Sequence, residues 1–298
     1  MYHFPVSGVE TYWWFPFLVA LVVSFFSSTG GLSGAFMLLP FQVSILGYFA
    51  PGVSATNLLF NVVGIPGGVY RYWKERRMVW ALAGAIVMGT LPGIFLGASI
   101  RVKYLPDPAS FKLFAGCVLL YIGLRLGSDL FRRGGVKKPV KSENFNVSNV
   151  HFSLRRISYE FEGEVYTVKT PALLVLCLTV GVIGGTYGIG GGAIIVPFLV
   201  AMFRLPVYTV AGAGLFGTFA SSVAGVMVYG AIAFFQPDNA SSAAPDWQLG
   251  LLMGVGGFIG IYLGARTQKY LPERLIKGIL TVLLLFVAVR YIGGFFWK

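Results

Sequence analysis

The sequence predicts an all-α polytopic membrane protein: two inverted-topology repeats, each a glycine-broken helix pair plus three long transmembrane helices, with a small extramembrane β-rich linker. Three observations predict it. Hydrophobic types make up 56% of the 298 residues and Asp, Glu, Lys and Arg only 11%; a water-facing domain carries roughly 25% charged residues. Apolar stretches follow one another along the chain, most of them near the 20 residues or so that a helix needs to cross a bilayer. The second half also repeats landmarks of the first at a nearly constant offset. A mean hydropathy of +0.76 excludes disorder, which requires low hydrophobicity. The basic surplus, 23 Lys and Arg against 11 Asp and Glu, would suggest nucleic acid in a soluble protein. In a membrane chain it reads as loop charge that sets orientation, with no nucleic-acid partner expected.

Taken in order, residues 1–11 lack the basic n-region of a cleaved leader, so the first apolar run is expected to stay as structure. The stretches fall at 13–29, 32–49, 53–73, 79–100, 109–131, 171–187, 189–203, 207–235, 247–265 and 275–297. The third to fifth and the last three are long enough to span. The pairs 13–29/32–49 and 171–187/189–203 are shorter arms joined by glycine-rich breaks. Each pair reads either as two spans with a tight turn or as a re-entrant hairpin whose tip lies inside the protein. Residues 132–170 change character. A basic run (Arg132, Arg133, Lys137, Lys138, Lys141) leads into alternating residues over 144–154 and 157–168, with Glu162-Gly163 as a turn signal. That pattern predicts a β-hairpin in a cytoplasmic linker, with a disordered basic loop as the competing reading. The expected organisation is a first membrane repeat over 1–131, the linker over 132–170 and a second repeat over 171–298. Cys117 and Cys177 lie in apolar runs, without the spacing that metal or disulfide chemistry needs.

Sliding the chain by 157 residues pairs Thr29 with Thr186, Gly31 with Gly188, Gly34 with Gly191, Pro40 with Pro197, Gly68 with Gly225 and Tyr72 with Tyr229. Offsets of 165 to 167 pair Leu96-Gly97-Ala98 with Leu263-Gly264-Ala265, and Lys112 and Arg125 with Lys277 and Arg290. Ordered matches across four segments, charged residues included, predict a duplication. Loop charge predicts its sense. Residues 71–77 carry Arg71, Lys74, Arg76 and Arg77, whereas the equivalent loop 236–246 has no basic residue. Equivalent loops of opposite character belong on opposite faces. With 71–77 inside, an inverted arrangement puts 18 Lys and Arg inside and five outside; a parallel one gives 15 and eight.

Neither histidine, His3 or His151, lies in an apolar stretch, and no acidic residue lies mid-helix. An intramembrane metalloenzyme or aspartyl protease would lack its parts, and no metal or other cofactor is expected. The same scarcity counts against a cation as main substrate. What occurs at depth is neutral donors and glycine. The breaks read Ser27-Ser28-Thr29-Gly30-Gly31-Leu32-Ser33-Gly34 and Gly184-Gly185-Thr186-Tyr187-Gly188-Ile189-Gly190-Gly191-Gly192, each leading into an apolar helix. A helix start carries unpaired N–H groups and about half a positive charge. Glycine lets an oxyanion approach those groups, and hydroxyls add donors. Two such starts related by inverted symmetry could make one anion cradle with no full charge. The candidate binding residues are Thr29, Gly30, Gly31, Ser33 and Gly34 in the first break, and Thr186, Gly188, Gly190, Gly191 and Gly192 in the second. To these are added the polar sets that follow, Thr56, Asn57 and Asn61, then Thr218, Ser221 and Ser222. Asn57 and Asn61, four apart, share a helix face. Close helix packing is the competing use of such glycines, and interhelical hydrogen bonding that of such amides. Arg125 and Arg290, matched near helix ends, fit snorkelling or an anion-attracting vestibule.

The run Gly190-Gly191-Gly192-Ala193-Ile194-Ile195-Val196-Pro197-Phe198-Leu199 is followed by Leu205-Pro206, Ala211-Gly212 and Tyr229-Gly230. Together with Ser54-Ala55-Thr56-Asn57-Leu58-Leu59-Phe60-Asn61 in the first half, it resembles the TauE/SafE sulfite exporter family over essentially the whole membrane part. Two features depart from that pattern. Leu32-Ser33-Gly34 stands where the second break has Ile189-Gly190-Gly191, and the linker is larger and more β-like. The resemblance implies a secondary transporter moving sulfite, sulfonate or a related organosulfur anion across the cytoplasmic membrane, in either direction. Its partners would be that small sulfur-containing anion, the lipid bilayer and a coupling ion such as the proton, although no titratable relay is evident. A passive anion channel on the same fold is the competing reading.

Overall fold

The computed structural model describes residues 1–29, 33–74, 76, 78–131, 147–161, 163–235, 243–267 and 273–296. Gly30 and Gly31, the basic run 132–141 and most of the loop 236–246 lie outside the described residues. A short antiparallel ribbon opens the chain, β1 (Tyr2–His3) with β2 (Glu10–Thr11). The helices of the first half are α1 (Trp14–Thr29), α2 (Ala35–Ser44), α3 (Gly52–Gly64), α4 (Pro66–Lys74), α5 (Trp80–Lys103) and α6 (Pro108–Phe131). Those of the second half are α7 (Thr170–Tyr187), α8 (Gly192–Met202), α9 (Val207–Phe235), α10 (Trp247–Thr267) and α11 (Glu273–Phe296). Each apolar stretch of the sequence thus becomes a helix, the third of them two, α3 and α4. Among the described residues, six segments are long and apolar enough to cross a membrane: Gly52–Lys74, Trp80–Lys103, Pro108–Ser128, Thr170–Tyr187, Thr209–Phe235 and Trp247–Gly264. This is a multi-pass membrane protein of helices with small sheets.

Local chemistry sets the element ends. Pro51 precedes α3 as its N-cap and Pro66 opens α4, positions where a missing N–H costs nothing. Pro108 opens α6 beneath Asp107, whose carboxylate accepts the Ser110 N–H at 2.8 Å. The second apolar stretch reaches residue 49, but α2 stops at Ser44 because the chain turns back through Gly47, at φ 71°. That shortening decides the form of the broken pairs. With 10 residues in α2 and 11 in α8, each return arm rises only about 15–17 Å, roughly half of a hydrocarbon core about 30 Å thick. A full crossing by the return arm does not fit.

Packing fixes the helix directions. Gly89, Gly93 and Gly97 of α5 lie in turn against Leu174 to Cys177, Leu178 to Val182 and Val182 to Thr186 of α7, so these helices run the same way. Gly256, Gly260 and Gly264 of α10 step likewise along Phe17 to Ser28 of α1. Both stripes place a glycine every fourth residue, which lets two backbones approach closely, and they match at the offset of 167. In the same way α3 runs parallel to α10 (Leu59 by Gly250, Val63 by Gly254), and α9 to α5 (Ile86 by Gly217, Ile94 by Gly225). By contrast α3 and the α4 that continues it are antiparallel to α9, the helix that the sequence offsets pair with them, with Leu58 of α3 by Gly225 and Gly68 of α4 by Leu215. So is α6 to α11, with Gly116 by Tyr291 and Gly127 by Thr281. Exchanging the two halves leaves this pattern unchanged. Pair α1–α2 begins and ends at the end of the molecule where α3 starts; pair α7–α8 does so at the opposite end.

Between the halves, β3 (Ser148–Phe152), β4 (Arg156–Phe161) and β5 (Glu164–Lys169) form an antiparallel meander. Gly163, at φ 78°, makes the β4–β5 turn. Strand β4 alternates, burying Ile157, Tyr159 and Phe161, as a half-buried strand does. The Tyr159 hydroxyl lies 2.7 Å from Thr209 Oγ1 at the start of α9, which docks the sheet onto the helix ends.

Candidate functional site

The second broken pair turns inside the protein, while the turn of the first, residues 30–32, lies outside the described residues. In the second, α7 ends on Gly188 at φ 89°, Gly190 follows at φ 74°, and α8 starts from Gly191. Those two positive φ values are a backbone that side chains resist. In the first, α2 starts from Gly34. Neither helix start has a side-chain cap. The N–H groups of an opening turn have no acceptor within their own helix, so two uncapped starts face the interior from opposite ends.

Asn57, fully buried on α3, joins the two breaks. Its Nδ2 donates to Ala35 O of the first and to Gly188 O of the second, both at 2.9 Å. Its Oδ1 accepts from Gln42 Nε2 at 3.2 Å. One turn on, Asn61 Nδ2 donates to Ile189 O at 3.0 Å. Ser54 Oγ donates to Thr186 O, and the Tyr187 hydroxyl to Phe36 O in the opposite break. The second start is reached from α9, where Ser221 Oγ accepts the Gly191 N–H at 3.0 Å.

Several buried polar atoms at the same place have no partner among the described residues: Ser24, Ser27, Ser33 and Ser222 Oγ, Gln42 Oε1 and Asn61 Oδ1. Two of the hydroxyls are placed by geometry. Ser24 Oγ stands 2.8 Å from where a Cβ on Gly34 would be, and Ser222 Oγ the same distance from one on Gly190. An unsatisfied hydroxyl therefore stands beside each break. Leaving such a group unpaired in the interior costs about 1–3 kcal/mol, and an oxyanion or water would recover it.

Other candidates are placed in structural bonds. Thr56 Oγ1 accepts the backbone N–H of Asp246. Asp246 is itself buried, and its carboxylate accepts from Ser7 and from the Leu249 N–H at the start of α10. The Thr186 hydroxyl donates to Gly97 O on α5, and the Thr218 hydroxyl to Gly214 O one turn back. Gly192 faces Gly214 O so closely that no side chain fits, and Gly188 lies on the backbone of Ser54. Thr29 ends α1. Gln42, Ser24, Tyr187 and Tyr229, whose hydroxyl donates to Gly185 O at 2.9 Å, also stand here, although none is among the candidate binding residues drawn from the sequence. The first was detectable as the one amide in an otherwise apolar helix. Ser24 is as conspicuous in α1, but only the return of the chain brings it to Gly34.

One cation stands near by. Arg101 is fully buried, hydrogen-bonded to Phe49 O and Leu105 O, with its guanidinium 3.7 Å from the centre of the Phe111 ring. Tyr48, in the α2–α3 connection beside it, bonds Thr56; burial pushes its phenol well above the ordinary value. Among the described residues there is no group of His, Cys, Asp and Glu that could hold a metal.

A hydrophobic bundle with two uncapped helix starts and neutral donors is built for transport through a membrane, and comparison with known proteins agrees. The family described as Sulfite exporter TauE/SafE matches residues 16–291. The chain belongs to this family. The probable membrane transporter protein YunE of Bacillus subtilis is 23% identical over 284 residues, covering 92% of this chain and 95% of the relative. A probable membrane transporter protein of Xylella fastidiosa is 25% identical over 272 residues, covering 88% of each. The probable membrane transporter protein MamO of Magnetospirillum gryphiswaldense is 32% identical over 120 residues, which cover 39% of this chain and 18% of MamO. No solved structure matches. These relatives and the family itself point to membrane transport rather than to enzymes.

Proposed function

We propose that this TauE/SafE chain is a secondary transporter of a small sulfur-containing anion, sulfite or a sulfonate, in the cytoplasmic membrane. The anion is held between the starts of α2 and α8 and exposed alternately to the two faces. The observation that carries this reading is the pairing of each uncapped glycine start with a buried, unpartnered hydroxyl, Ser24 at Gly34 and Ser222 at Gly190. A tetrahedral or pyramidal oxyanion has acceptors for both hydroxyls and both helix starts, whose N–H groups favour negative charge without a full counter-charge. The family's printed description, which names sulfite, supports the substrate class.

The two halves act as inverted repeats. Supporting this are the antiparallel partners α3/α9 and α6/α11 and the entry of the two broken pairs from opposite ends. Rocking one half against the other would open the midplane site to either face in turn. Residues 71–77 and the three-stranded linker then lie on the cytoplasmic side, following their basic charge. The test is flux into proteoliposomes. Sulfite accumulated above its external concentration under an imposed proton gradient supports a coupled transporter. Flux that only equalises concentrations supports a passive channel and overturns the transporter reading.

A further inference from the structure

The two-fold pattern fails in one place, and the failure leaves a cleft. Beside the second broken pair, α6 closes against α8: the Tyr121 and Phe198 rings stack 5.5 Å apart, and Arg125 Nη2 donates to Pro197 O at 3.2 Å. The repeat offsets assign Phe286 and Arg290 of α11 and Phe41 and Pro40 of α2 to these four positions beside the first broken pair. There the closure is absent. Tyr291 takes the arginine's place, its hydroxyl 2.7 Å from Ser44 Oγ and 3.5 Å from Pro40 O. Phe41 packs on Phe15 instead, and Phe286 is left 61% exposed. Between α1 and α2 on one side and α6 and α11 on the other, a cleft of about 950 Å³ remains.

The lining divides by chemistry along its length. At the end where α6 starts and α11 finishes, Lys112 and Arg290 line the cleft, with Asp107 at the mouth, its carboxylate held by the Ser110 N–H. Lys112 Nζ stands 4.7 Å from the Phe49 ring. Toward the middle of the molecule the walls are apolar, with Val19 and Val23 facing Leu283, Phe286 and Val287. From Arg290 to Leu283 is seven residues, about 10 Å along a helix. A ligand that fits has an anionic head and a hydrocarbon chain beginning beside it. A bare sulfur oxyanion would leave the apolar length unfilled.

We propose that this cleft is a binding site for an anionic phospholipid of the surrounding bilayer, its phosphate between Lys112 and Arg290 and one acyl chain lying between α1 and α11. Basic pockets between transmembrane helices commonly take lipid headgroups, and here the charge and the apolar wall are continuous. The charged end of the cleft lies beyond the C-terminal end of α2, away from its start, so the proposal does not rest on the substrate reading. It also gives the first broken pair a lipid neighbour where the second has protein.

Native mass spectrometry of the purified full chain tests this, with phosphatidylglycerol and phosphatidylcholine of the same acyl chains as probes. Phosphatidylglycerol is expected to bind wild type about tenfold more tightly, the order of preference two basic side chains give to an anionic headgroup. In Lys112→Gln/Arg290→Gln that preference is expected to vanish. Val287→Trp, which fills the apolar length and leaves both charges, is expected to weaken both lipids. Equal binding of the two lipids by wild type would overturn the proposal without recourse to any variant. So would an unchanged preference in a folded double variant. Displacement of phosphatidylglycerol by inorganic phosphate at matched concentration would also contradict it, since that would make the cleft a free-anion site.

Discussion

Asn57 shows how one side chain can hold the proposed transport site together. Its amide satisfies a carbonyl from each broken pair and is in turn fixed by Gln42. Asn57→Leu leaves those groups buried and unpaired at about 1–3 kcal/mol each. We expect a melting temperature lower by about 5–10 °C in detergent; a melting curve like wild type would show that water or the neighbouring helices can replace the amide. The unpartnered hydroxyls should behave in the opposite way. Ser24→Ala and Ser222→Ala remove groups that have no hydrogen-bond partner among the described residues, so stability should hold while sulfite affinity, read by titration calorimetry, falls about tenfold for each lost charge-assisted bond. Affinity equal to wild type in both variants would remove the hydroxyls from the site. Asn57 and Ser222 could be noticed in the sequence because an amide or a serine is conspicuous in an apolar stretch. Ser24 is just as conspicuous, but its relation to Gly34 exists only once the chain has folded back.

At the scale of elements, the glycine stripes carry the assembly. Gly93 lies on the backbone of α7, where an added Cβ would come within 2.4 Å of Leu178 O, whereas nothing stands within 4 Å of a Cβ on Gly84 of the same helix. Gly93→Leu is therefore expected to abolish folded protein on size-exclusion chromatography. Gly84→Ala should be neutral or stabilising by up to about 1 kcal/mol, the helix-propensity difference. The sheet offers a pH test. Burial holds the Tyr159 phenol up to about 12, above its ordinary value near 10. The folded state thus keeps the proton longer than the unfolded one, and the stability this confers is complete below pH 10 and lost as pH rises toward 12. Limited proteolysis of the linker should accelerate over that interval in wild type and show no such step in Tyr159→Phe. Hydropathy located every long helix, because a bilayer demands continuous apolar length. It did not locate the end of α2, where apolar residues 45–49 line a turn instead of a helix. The alternation over 144–154 and 157–168 predicts strands there, and the structure makes three of them rather than a two-stranded hairpin, with β3 pairing its chain neighbour β4 from Phe152 opposite Ile157.

For the whole molecule, loop charge and helix packing address the same question independently. The sequence distributes 18 basic residues to one face and five to the other under an inverted arrangement; the packing sets equivalent helices antiparallel. Reporter tags inserted at 140 and 240 should accordingly be accessible from opposite sides of the membrane, and accessibility from one side only would contradict inversion. The sequence predicts a duplication, from landmark glycines and prolines at nearly fixed offsets. It could not show that a cleft would remain beside the first broken pair, because Tyr291 stands at Pro40 in place of Arg290 only in three dimensions. The most direct measurement of the central claim is sulfite uptake into proteoliposomes by wild type and by Ser24→Ala/Ser222→Ala under an imposed proton gradient. Accumulation above the external concentration by wild type, with loss of most of that uptake in the folded double variant, is the predicted result. Uptake that never exceeds equilibration, or that is unchanged by losing both hydroxyls, would contradict it.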